Sequence, residues 1–481
     1  MIHLNQDIVD STSPKHVLAD FFEAKSVVVV GASKKDQSPG NIVSRNFIDG
    51  DFDGDLFFVN PRQGRLFTKP LYNSVMDIPW TVDLAIIVVP ASIVPSVTEE
   101  CGKRGIKRLV ILSGGFGETG EEGKKLENQL IEICKKYDIR FIGPNCLGLY
   151  VPKNKIDTIF LQRDKVQRPS TGPMSFFTQS GAFGAAFLSE MFHLGFGGWI
   201  SKFVSFGNAT DINEADILEY LGHDLDTQVI LGYLEGFKDA RRFLDAAKFA
   251  STKKPFILIK GNRTKAGAQA ASSHTASIAS NDQIVDDLLA DAGVIRVDDW
   301  QDMLNAAKMF TQPKPKGNRI AVISNGGGVA VMISDCIGLE GLELANFSNE
   351  TVTRLEELLP RLYVKSNPVD LTGSSTNEQY FATLNVVKED VNVDSVILVV
   401  LTAPPYIDPK DFADRMVVLL KEESWIKEKP FIILTMGGEE AMVFASKMER
   451  LGIPTYVQPS AAVKALSHLT RYSSFLRRMK S

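Results

Sequence analysis

The residue best suited to covalent chemistry is His274, which lies in a run of small side chains from Gly267 to Ser280. An imidazole is nucleophilic at neutral pH without help from a metal, so it can carry a group between two places. A stretch with so few large apolar side chains cannot anchor itself in a core, and we therefore expect a mobile surface loop. The alternative is a surface loop whose histidine has no function.

Two further sets of residues suit phosphoryl chemistry around this histidine. Ser180, Gly181 and Ala182 follow a strand pattern and place a hydroxyl and bare amides at a helix start, where phosphate binds. Glu235 ends the next strand and can accept an N–H from an imidazole, which fixes the tautomer. Because these groups and His274 share the carboxyl edge of one predicted sheet, they predict a phosphohistidine site. A serine–histidine hydrolase is less favoured, because the serine lacks the G-x-S-x-G elbow.

The first glycine loop of the chain, which begins at Gly31, suits a ligand with phosphates. It does not match the G-x-G-x-x-G fingerprint of dinucleotide sites, but Lys34 and Lys35 can contact phosphates. Further strand ends add three short segments: Asn60-Pro61-Arg62, Val89-Pro90-Ala91 and Ser113-Gly114-Gly115-Phe116. These residues indicate a nucleotide with phosphates rather than NAD. The alternative is that the glycine only makes a tight turn.

A third glycine-rich helix start contains Asn325 and Gly327. Its bare amides can complete a phosphate pocket from another domain. The segment from Asn367 to Gly373 is a tight turn with side chains that can bind ligands, and an Asx-type turn explains it equally well.

These loops recur because the chain repeats one α/β pattern three times. The strand–loop–helix starts at Gly31, Gly181 and Gly326 are 150 and 145 positions apart. Continuous apolar strands between amphipathic helices are typical of parallel sheets covered on both faces. We therefore predict an α/β chain of three consecutive doubly wound, Rossmann-like or flavodoxin-like domains, with bounds 1–155, 156–312 and 313–481. The segment from Gln312 to Gly317 is the clearer linker, because it is rich in proline and lysine.

Composition narrows the class of protein. The chain has 481 residues, of which 44% are hydrophobic and 23% charged, so it can build sizeable cores. Its net charge of -5 argues against nucleic acid. The start lacks a signal-peptide core, and apolar runs such as 84–89 are too short to span a membrane. The four cysteines show neither disulfide nor metal spacing, so we expect a cytoplasmic chain without a structural metal.

The order of several motifs resembles a known family. The motifs are Val88-Val-Pro-Ala91, Gly143-Pro-Asn-Cys-Leu-Gly148, Thr178-Gln-Ser-Gly181, Leu234-Glu-Gly236, Ser273-His-Thr275 and Asn367-Pro-Val-Asp-Leu-Thr-Gly373. Together they resemble the nucleoside-diphosphate-forming acyl-CoA synthetases, above all the α subunits of ADP-forming acetyl-CoA synthetases. These enzymes are similar to succinyl-CoA synthetase with its domains reshuffled. A departure is Ala276, where the family pattern has glycine.

The resemblance implies a role for each domain. The first would bind coenzyme A, the second would carry the phosphorylated histidine, and the third would complete the active site. The implied CoA contacts are Gly31, Ala32, Ser33, Lys34, Arg62, Pro90 and Ser113. Asn145 would lie near the thioester, and Glu235 would orient His274. The transferred phosphate would be held by Ser180, Gly181 and Ala182, with Asn325 and Gly327 as further phosphate or substrate residues.

The family also needs an ATP-grasp module, and no part of the sequence resembles one. The resemblance therefore implies a separate ATP-grasp β subunit, an α2β2 heterotetramer, and Mg-ADP or Mg-ATP bound through that partner. The implied enzyme is an acid–thiol ligase that interconverts acyl-CoA, ADP and phosphate with a carboxylic acid, expected to be acetate, ATP and CoA. Acyl phosphate and phosphohistidine would be its intermediates.

Two rival functions come from other classes. A non-catalytic CoA- or acyl-CoA-binding regulatory subunit would keep the first domain and would not need His274. A nicotinamide oxidoreductase would need a carboxylate at the end of the second strand, where the sequence has Asn60-Pro61-Arg62.

Overall fold

The computed structural model describes residues 16–62, 64–193, 199–272, 282–422 and 427–480. These residues form three mostly parallel sheets with helices between the strands. The chain divides into two compact units. Unit 1 comprises Met1–Lys253 and Gly261–Ser280, and unit 2 comprises Lys254–Lys260 and Asn281–Ser481. The predicted α/β class with doubly wound sheets is confirmed, although antiparallel strands extend two of the sheets.

The first sheet of unit 1 has the strand order β3-β4-β2-β1-β5-β6-β7 and is parallel except for the β3–β4 pair. Its strands are β1 (Ser26–Val30), β2 (Asp55–Val59), β3 (Gly64–Leu66), β4 (Lys69–Tyr72), β5 (Leu84–Ile87), β6 (Arg108–Ile111) and β7 (Arg140–Ile142). Strand β1 pairs with β2 on one side and β5 on the other, so the winding direction reverses there. Such a switch point opens a crevice at the carboxyl ends of the strands.

Four helices accompany this sheet: α1 (Ala19–Phe22), α2 (Pro39–Asp49), α3 (Val94–Arg104) and α4 (Glu121–Tyr137). Helix α2 starts where Ser38 caps the amide of Asn41 and Pro39 occupies the first turn. Helix α3 ends at Gly105, whose φ of 86° is the left-handed conformation that glycine adopts without strain.

The second sheet continues in unit 1 with the order β12-β10-β11-β8-β9. Its strands are β8 (Gly148–Val151), β9 (Ile156–Asp157), β10 (Thr171–Thr178), β11 (Ile200–Ser205) and β12 (Val229–Leu234). Strand β10 lies between β11 and β12, which creates a second switch point. Strand β8 is antiparallel to β11 and β9. All four of its residues are buried, and β8 and β9 lie on either side of the predicted domain bound at residue 155. The three domain bounds remain predictions.

The helices of this part of unit 1 are α5 (Gly181–His193), α6 (Glu214–His223), α7 (Ala240–Lys253) and α8 (Lys265–Ser272). Helix α8 includes the beginning of the small-residue run that we predicted to be a loop. Its alanines explain the difference, because alanine has the highest helix propensity. The rest of the run, with His274, lies outside the described residues.

In unit 2, β13 (Phe256–Lys260) pairs in parallel with β14 (Ile295–Val297). The third sheet is parallel, with the order β16-β15-β18-β19-β20 and β17 beside β15. Its strands are β15 (Arg319–Ser324), β16 (Glu343–Leu344), β17 (Val369–Asp370), β18 (Ser395–Leu401), β19 (Phe431–Met436) and β20 (Thr455–Tyr456). The helices are α9 (Asp282–Asp291), α10 (Trp300–Met309), α11 (Gly327–Leu339), α12 (Asn349–Leu358), α13 (Asn377–Val387), α14 (Pro409–Glu422), α15 (Glu439–Arg450) and α16 (Pro459–Lys480).

Strand β15 shows why its sequence is apolar throughout. Ala321 and Ile323 belong to one buried cluster, while Ile320 and Val322 belong to another. Successive strand side chains point to opposite faces, so both faces of this sheet are covered. Among the described helices, none combines the length and apolar character that crossing a bilayer requires.

Candidate functional site

A cavity of about 400 Å³ lies at the first switch point, at the carboxyl ends of β1, β5 and β6. We call it the unit 1 cavity. Its lining residues are Gly31, Ser33, Ser38, Pro39, Gly40, Val88, Val89, Pro90, Leu112, Ser113, Gly114 and Phe160. Ligand pockets in proteins usually measure about 300–1,000 Å³, so the cavity is large enough to hold part of a cofactor-sized molecule.

Four of the seven residues predicted to contact CoA line this cavity: Gly31, Ser33, Pro90 and Ser113. Ala32 is fully buried. Lys34 and Arg62 are exposed and do not line the cavity. Their long basic side chains therefore remain predicted contacts for phosphates outside it.

Glycine backbone shapes the floor of the unit 1 cavity. Gly31 has φ 96°, and a Cβ there would stand 2.3 Å from the carbonyl oxygen of Val88. A Cβ on Gly40 would stand 2.0 Å from the carbonyl oxygen of Gly31. The loop after β1 and the first turn of α2 thus approach each other too closely for side chains. This brings the free amides of a helix start to the cavity, a setting that favours anions.

Hydrogen bonds join the strand-end loops around the cavity. Asn60 donates to the carbonyl oxygen of Ala32 at 2.7 Å and accepts the amide of Arg62 at 2.9 Å. The Ser113 hydroxyl donates to the carbonyl oxygen of Val89 at 2.5 Å. The predicted residues therefore occupy loops that hold one another in place.

The second switch point places a helix start beside a carboxylate. The Ser180 side chain accepts the amide of Phe183 at 3.3 Å, so it caps helix α5. Gly181 and Ala182 form the first turn of that helix. The side-chain oxygen of the neighbouring Gln179 accepts hydrogen bonds from the main-chain N–H groups of Glu235 and Gly236. The side-chain NH₂ group of Gln179 donates to the Gly236 carbonyl oxygen at 3.2 Å. A single glutamine thus joins the predicted phosphate residues to the turn that carries Glu235.

The side chain of Glu235 has its own donor. The Tyr233 hydroxyl lies 3.3 Å from its Oε1, and the Tyr233 ring stacks on Phe183 of helix α5 at 4.3 Å. Burial, reinforced by the nearby carboxylate, raises the pKa of Tyr233 to about 12. The phenol therefore keeps its proton at neutral pH and donates to Glu235. His274, which Glu235 was predicted to orient, lies outside the described residues.

Asn145 lies between the two switch points in the chain. Its side chain is exposed although its neighbours in sequence are buried, and its φ is 56°. The main-chain N–H of Asn145 donates to the carbonyl oxygen of Ser113 at 2.9 Å. The residue predicted to lie near a thioester is therefore attached to the loop after β6 that lines the unit 1 cavity.

In unit 2, Asn325 and Gly327 occupy the predicted helix start. The side chain of Asn325 makes two hydrogen bonds to the main chain of Leu401, both at 3.0 Å. Its NH₂ group donates to the Leu401 carbonyl oxygen, and its oxygen accepts from the Leu401 N–H. This residue is buried, and its side chain joins β15 to β18. Helix α11 begins at Gly327, and a Cβ on Gly327 would stand 2.7 Å from Oδ2 of Asp370. Asp370 accepts the amide of Thr372 at 2.9 Å, which matches the Asx-type turn.

Several residues around these sites escaped the sequence analysis. Gln179 lies inside the Thr178–Gly181 motif, next to Ser180, so its position in the sequence could have indicated a role at the site. Tyr233 and Phe160 had no signal of their own, because their roles depend on what the folded chain places beside them. In the part of the chain that the structure describes, no cluster of histidine, cysteine, aspartate and glutamate could hold a metal ion.

Comparison with protein families identifies three consecutive regions. Residues 25–152 match a CoA binding domain, residues 171–310 match a succinyl-CoA ligase like flavodoxin domain, and residues 320–472 match a ligase-CoA domain. The unit 1 cavity lies almost entirely within the first match, and the Ser180–Glu235 site lies within the second.

Whole-chain relatives agree with these matches. The chain is 37% identical to the alpha subunit of acetate–CoA ligase [ADP-forming] II from Pyrococcus furiosus, over 92% of this chain and 95% of the relative. It is 32% identical to the 4-hydroxybutyrate–CoA ligase [ADP-forming] of Nitrosopumilus maritimus, of which it spans 64%.

A solved structure of dinucleotide forming acetyl-coenzyme A synthetase 1 from Ca. Korarchaeum cryptofilum, in complex with phosphate and ADP, matches with a TM-score of 0.88 at 30% identity. The match covers 96% of this chain and 99% of that one. The chain therefore belongs to the family of ADP-forming acetyl-CoA ligase alpha subunits, which is part of the succinyl-CoA ligase-like group.

Proposed function

We propose that this chain is the α subunit of an ADP-forming acyl-CoA synthetase. The enzyme interconverts acyl-CoA, ADP and phosphate with a carboxylic acid, ATP and CoA. One observation carries the proposal: unit 1 has a ligand-sized cavity at one switch point, and a capped helix start beside a carboxylate at the other. The first suits a phosphate-bearing cofactor, and the second suits a transferred phosphoryl group.

In the first step, acyl-CoA binds with its CoA part in the unit 1 cavity. Gly31, Ser33, Pro90 and Ser113 contact it there, and Lys34 reaches its phosphates from outside. An oxygen of inorganic phosphate attacks the thioester carbonyl carbon, and the carbon–sulfur bond breaks. The sulfur leaves with the bonding pair and takes a proton as the CoA thiol, which leaves an acyl phosphate.

In the second step, an imidazole nitrogen of His274 attacks phosphorus. The bond between phosphorus and the acyl oxygen breaks, and the carboxylate leaves. Ser180 and the first amides of α5 bind the transferred phosphoryl oxygens, whose charge a helix start stabilises. Glu235, held by Tyr233 and Gln179, accepts the other imidazole N–H and stabilises the positive charge that develops on the ring.

In the third step, the phosphoryl group passes from His274 to an oxygen of ADP. We propose that a separate ATP-grasp β subunit binds the nucleotide with its Mg²⁺, within an α2β2 assembly. Two relatives support this proposal. The Pyrococcus furiosus relative is described as an alpha subunit, and the Korarchaeum cryptofilum structure is a complex with phosphate and ADP.

Acetate is the proposed acid, supported by the acetate–CoA ligase relative. The related ligase for 4-hydroxybutyrate shows that the family also accepts larger acids. The kcat/KM values for acetate and 4-hydroxybutyrate, measured with the same α and β subunits, test the choice. A higher value for 4-hydroxybutyrate would reject acetate as the preferred acid without affecting the rest of the proposal.

The decisive experiment mixes the purified chain with its ATP-grasp subunit and ATP labelled at the γ-phosphate. Wild type is expected to acquire an acid-labile, base-stable label, and His274→Ala is expected to lose it. His223→Ala is the matched control, because His223 ends helix α6 and contacts the ring of Phe249 instead of either site.

Each alternative outcome has a distinct meaning. If the wild-type chain binds CoA but acquires no label, the chain is a non-catalytic CoA-binding regulatory subunit. A label that persists in His274→Ala would place the phosphoryl carrier on another residue.

A further inference from the structure

Another cavity, of about 510 Å³, lies within unit 2 and shares no residue with the unit 1 cavity. We call it the unit 2 cavity. Strand β14 and the end of α9 form one wall, and one face of α16 forms another. The turns before β15 and after α11 complete the lining. Ligand sites usually measure about 300–1,000 Å³, so this cavity can hold a small molecule of nucleotide size.

Positive charge predominates in the lining of the unit 2 cavity. The lining contains four arginines and two carboxylates, an excess of two positive charges: Arg296, Arg471, Arg477 and Arg478 against Asp286 and Glu340. A phosphate group carries a charge of about −1.5 to −2 at neutral pH. A guanidinium group offers paired N–H donors in one plane, which match two phosphate oxygens. The charge of the lining therefore suits a phosphorylated ligand.

Helix α16 carries three of these arginines. Arg471, Ser474 and Arg478 all line the cavity and lie three and four positions apart, so they share one face of the helix. Both arginines of this face are exposed. Arg471 lies 3.4 Å from Oε2 of Glu340, and its side chain is 64% exposed, so this contact leaves most of the guanidinium accessible. The face therefore presents two guanidinium groups, with a hydroxyl between them, to a ligand.

The recorded partners of the Arg477 guanidinium are uncharged. It donates to the carbonyl oxygen of Pro315 and to the hydroxyls of Ser473 and Ser474, each at 2.9 Å. These bonds fix the position of the guanidinium without neutralising it. Arg477 therefore contributes positive charge to the same end of the cavity as Arg478, its neighbour in the chain.

Arg296 brings an unused donor to the wall formed by β14. Its side chain is 8% exposed, and its Nη2 and Nη1 contact Asp282 and Asp286 of α9 at 2.5 and 3.3 Å. Its Nε is buried and, within the described ranges, has no hydrogen-bond partner. A buried N–H without an acceptor is unfavourable. This wall therefore has more donors than acceptors, which again favours a ligand rich in oxygen.

A rival role for the arginines is to stabilise the negative C-terminal ends of α9, α11 and α16. Main-chain N–H groups already serve two of these ends, because the carbonyl oxygens of Ala290 and Gly338 accept the amides of Gly293 and Gly341 at 3.0 and 3.2 Å. The two roles predict different effects of removing arginines. Loss of a helix-end contact lowers stability without any ligand, whereas loss of a ligand contact lowers affinity.

We propose that the unit 2 cavity binds a phosphorylated small molecule of nucleotide size, with its phosphate on the arginine face of α16. This inference does not rest on the proposed function, because no residue of this cavity takes part in the reaction steps above. A ligand in the cavity contacts both α16 and β14, which is the edge strand of the second sheet. Its binding therefore joins that edge to the last helix of the chain.

Calorimetric titration of the full chain with ADP tests the proposal. Saturating CoA is present, so that ADP cannot occupy the unit 1 cavity. Wild type is expected to bind one ADP per chain. Pyrophosphate is expected to displace ADP because it presents the same phosphate oxygens, whereas adenosine should not bind. The opposite result with either probe would overturn recognition through phosphate, and absence of ADP binding would overturn the inference as a whole.

The double variant Arg471→Gln with Arg478→Gln removes two charges of the cavity from exposed positions. We expect the Kd for ADP to rise by about tenfold for each arginine lost. Arg361→Gln with Arg450→Gln is the matched control, because it changes the net charge equally at exposed positions outside the lining. This control is expected to bind ADP like wild type. Equal losses of affinity in both double variants would show an effect of net charge alone and reject the site.

Modification of arginine by phenylglyoxal locates the ligand on wild type, independently of any variant. ADP is expected to protect Arg471 and Arg478 but not Arg450, as read by mass spectrometry of the peptides. Bound ADP that leaves Arg471 and Arg478 unprotected would place it elsewhere and reject the site.

Thermal unfolding without ligand separates the rival role. A double variant Arg471→Gln with Arg478→Gln that unfolds at a lower temperature but binds ADP like wild type would assign the arginines to the helix ends and overturn the inference. If this variant fails to fold, the protection pattern of wild type decides. The phosphohistidine label is measured separately, so none of these outcomes affects the proposed function.

Discussion

Gly40 and Gly31 meet at main-chain level: a Cβ on Gly40 would stand 2.0 Å from the carbonyl oxygen of Gly31. The contact joins the loop after β1 to the first turn of α2, and both residues line the unit 1 cavity. The shape of the cavity therefore depends on a position where no side chain fits.

Gly40→Ala is expected to weaken CoA binding by about tenfold or more, because the methyl group must push α2 away from the β1 loop. Overpacking of this kind also costs about 1–3 kcal/mol of folding free energy. Calorimetry with CoA and thermal unfolding measure the two effects. CoA affinity equal to wild type would show that the cavity is not the CoA site or that the loop yields freely.

Gly338→Ala is the control for that variant. Gly338 lies in the last turn of α11, and a Cβ there would meet no atom within 4 Å. Alanine has a higher helix propensity than glycine, by up to about 1 kcal/mol. This variant should bind CoA normally and unfold at a slightly higher temperature.

Tyr233→Phe is expected to slow phosphohistidine formation by about tenfold without changing CoA affinity. The variant removes the donor to Glu235 but keeps the ring that stacks on Phe183. A hydrogen bond to a charged group contributes about 1.5–3 kcal/mol, which sets the size of the effect. Rapid-quench labelling of the complex gives the rate.

Tyr150→Phe separates this role from general stability. The Tyr150 hydroxyl donates to the carbonyl oxygen of Pro169 at 2.7 Å in a buried setting, away from Glu235. Its loss should lower stability by about 1 kcal/mol and leave the labelling rate unchanged. Equal rates in Tyr233→Phe and wild type would rule out a role for that phenol in phosphoryl transfer.

Glu118 is expected to make folding stability depend on pH. Burial alone would raise its pKa, but hydrogen bonds from Asn208, Gly115 and Phe116 lower it below the ordinary value of 4.5, so the fold favours the ionised form. The stabilisation is complete above about pH 4.5 and is lost as pH falls through the folded pKa. The difference in melting temperature between wild type and Glu118→Gln should therefore be present at pH 7 and shrink towards pH 3.

Lys308 and Glu449 form a buried ion pair in unit 2, with Nζ and Oε1 2.6 Å apart. Burial lowers the pKa of Lys308 and raises the pKa of Glu449 even though the pair opposes both shifts. Burial thus disfavours the charged form of both groups. Glu449→Leu removes the carboxylate that neutralises the buried Lys308 ammonium, and should cost about 3–5 kcal/mol of unfolding free energy.

The double variant Lys308→Met with Glu449→Leu should return close to wild-type stability or exceed it, since neither charge is then buried. Chemical denaturation measures all three free energies. A double variant no more stable than Glu449→Leu would contradict this expectation, because removing the second buried charge should relieve the cost of leaving it without a carboxylate.

The architecture was predictable from sequence because a strand covered on both faces must be apolar throughout. All five residues of β1 and all four of β5 are buried, and both segments were recognised by their uninterrupted apolar runs. Short polar edge strands such as β9 and β16 escaped detection, since two residues are too few to establish a period. Helix α8 was missed because its small side chains suggested a loop.

The candidate site was predictable where one strand end suffices to place a residue. Ser180 and Glu235 were expected at neighbouring strand ends, and Gln179 joins them there. Asn325 was expected to face phosphate, yet its carboxamide bonds the main chain of Leu401 on both sides. Residue type and position on a strand therefore indicate what a side chain can do, without indicating which partner occupies it.

Local periodicity, glycine positions and short motifs were thus sufficient to predict the α/β class, the three repeats and the family of this chain. The hydrogen bonds that join Glu118, Asn208 and Asn145 depended on tertiary structure, as did the place of Phe160 in the lining of the unit 1 cavity. The physical reason is that a hydrogen bond requires donor and acceptor within about 3 Å at a suitable angle. Only sheet register and loop path bring residues so far apart in sequence to that distance.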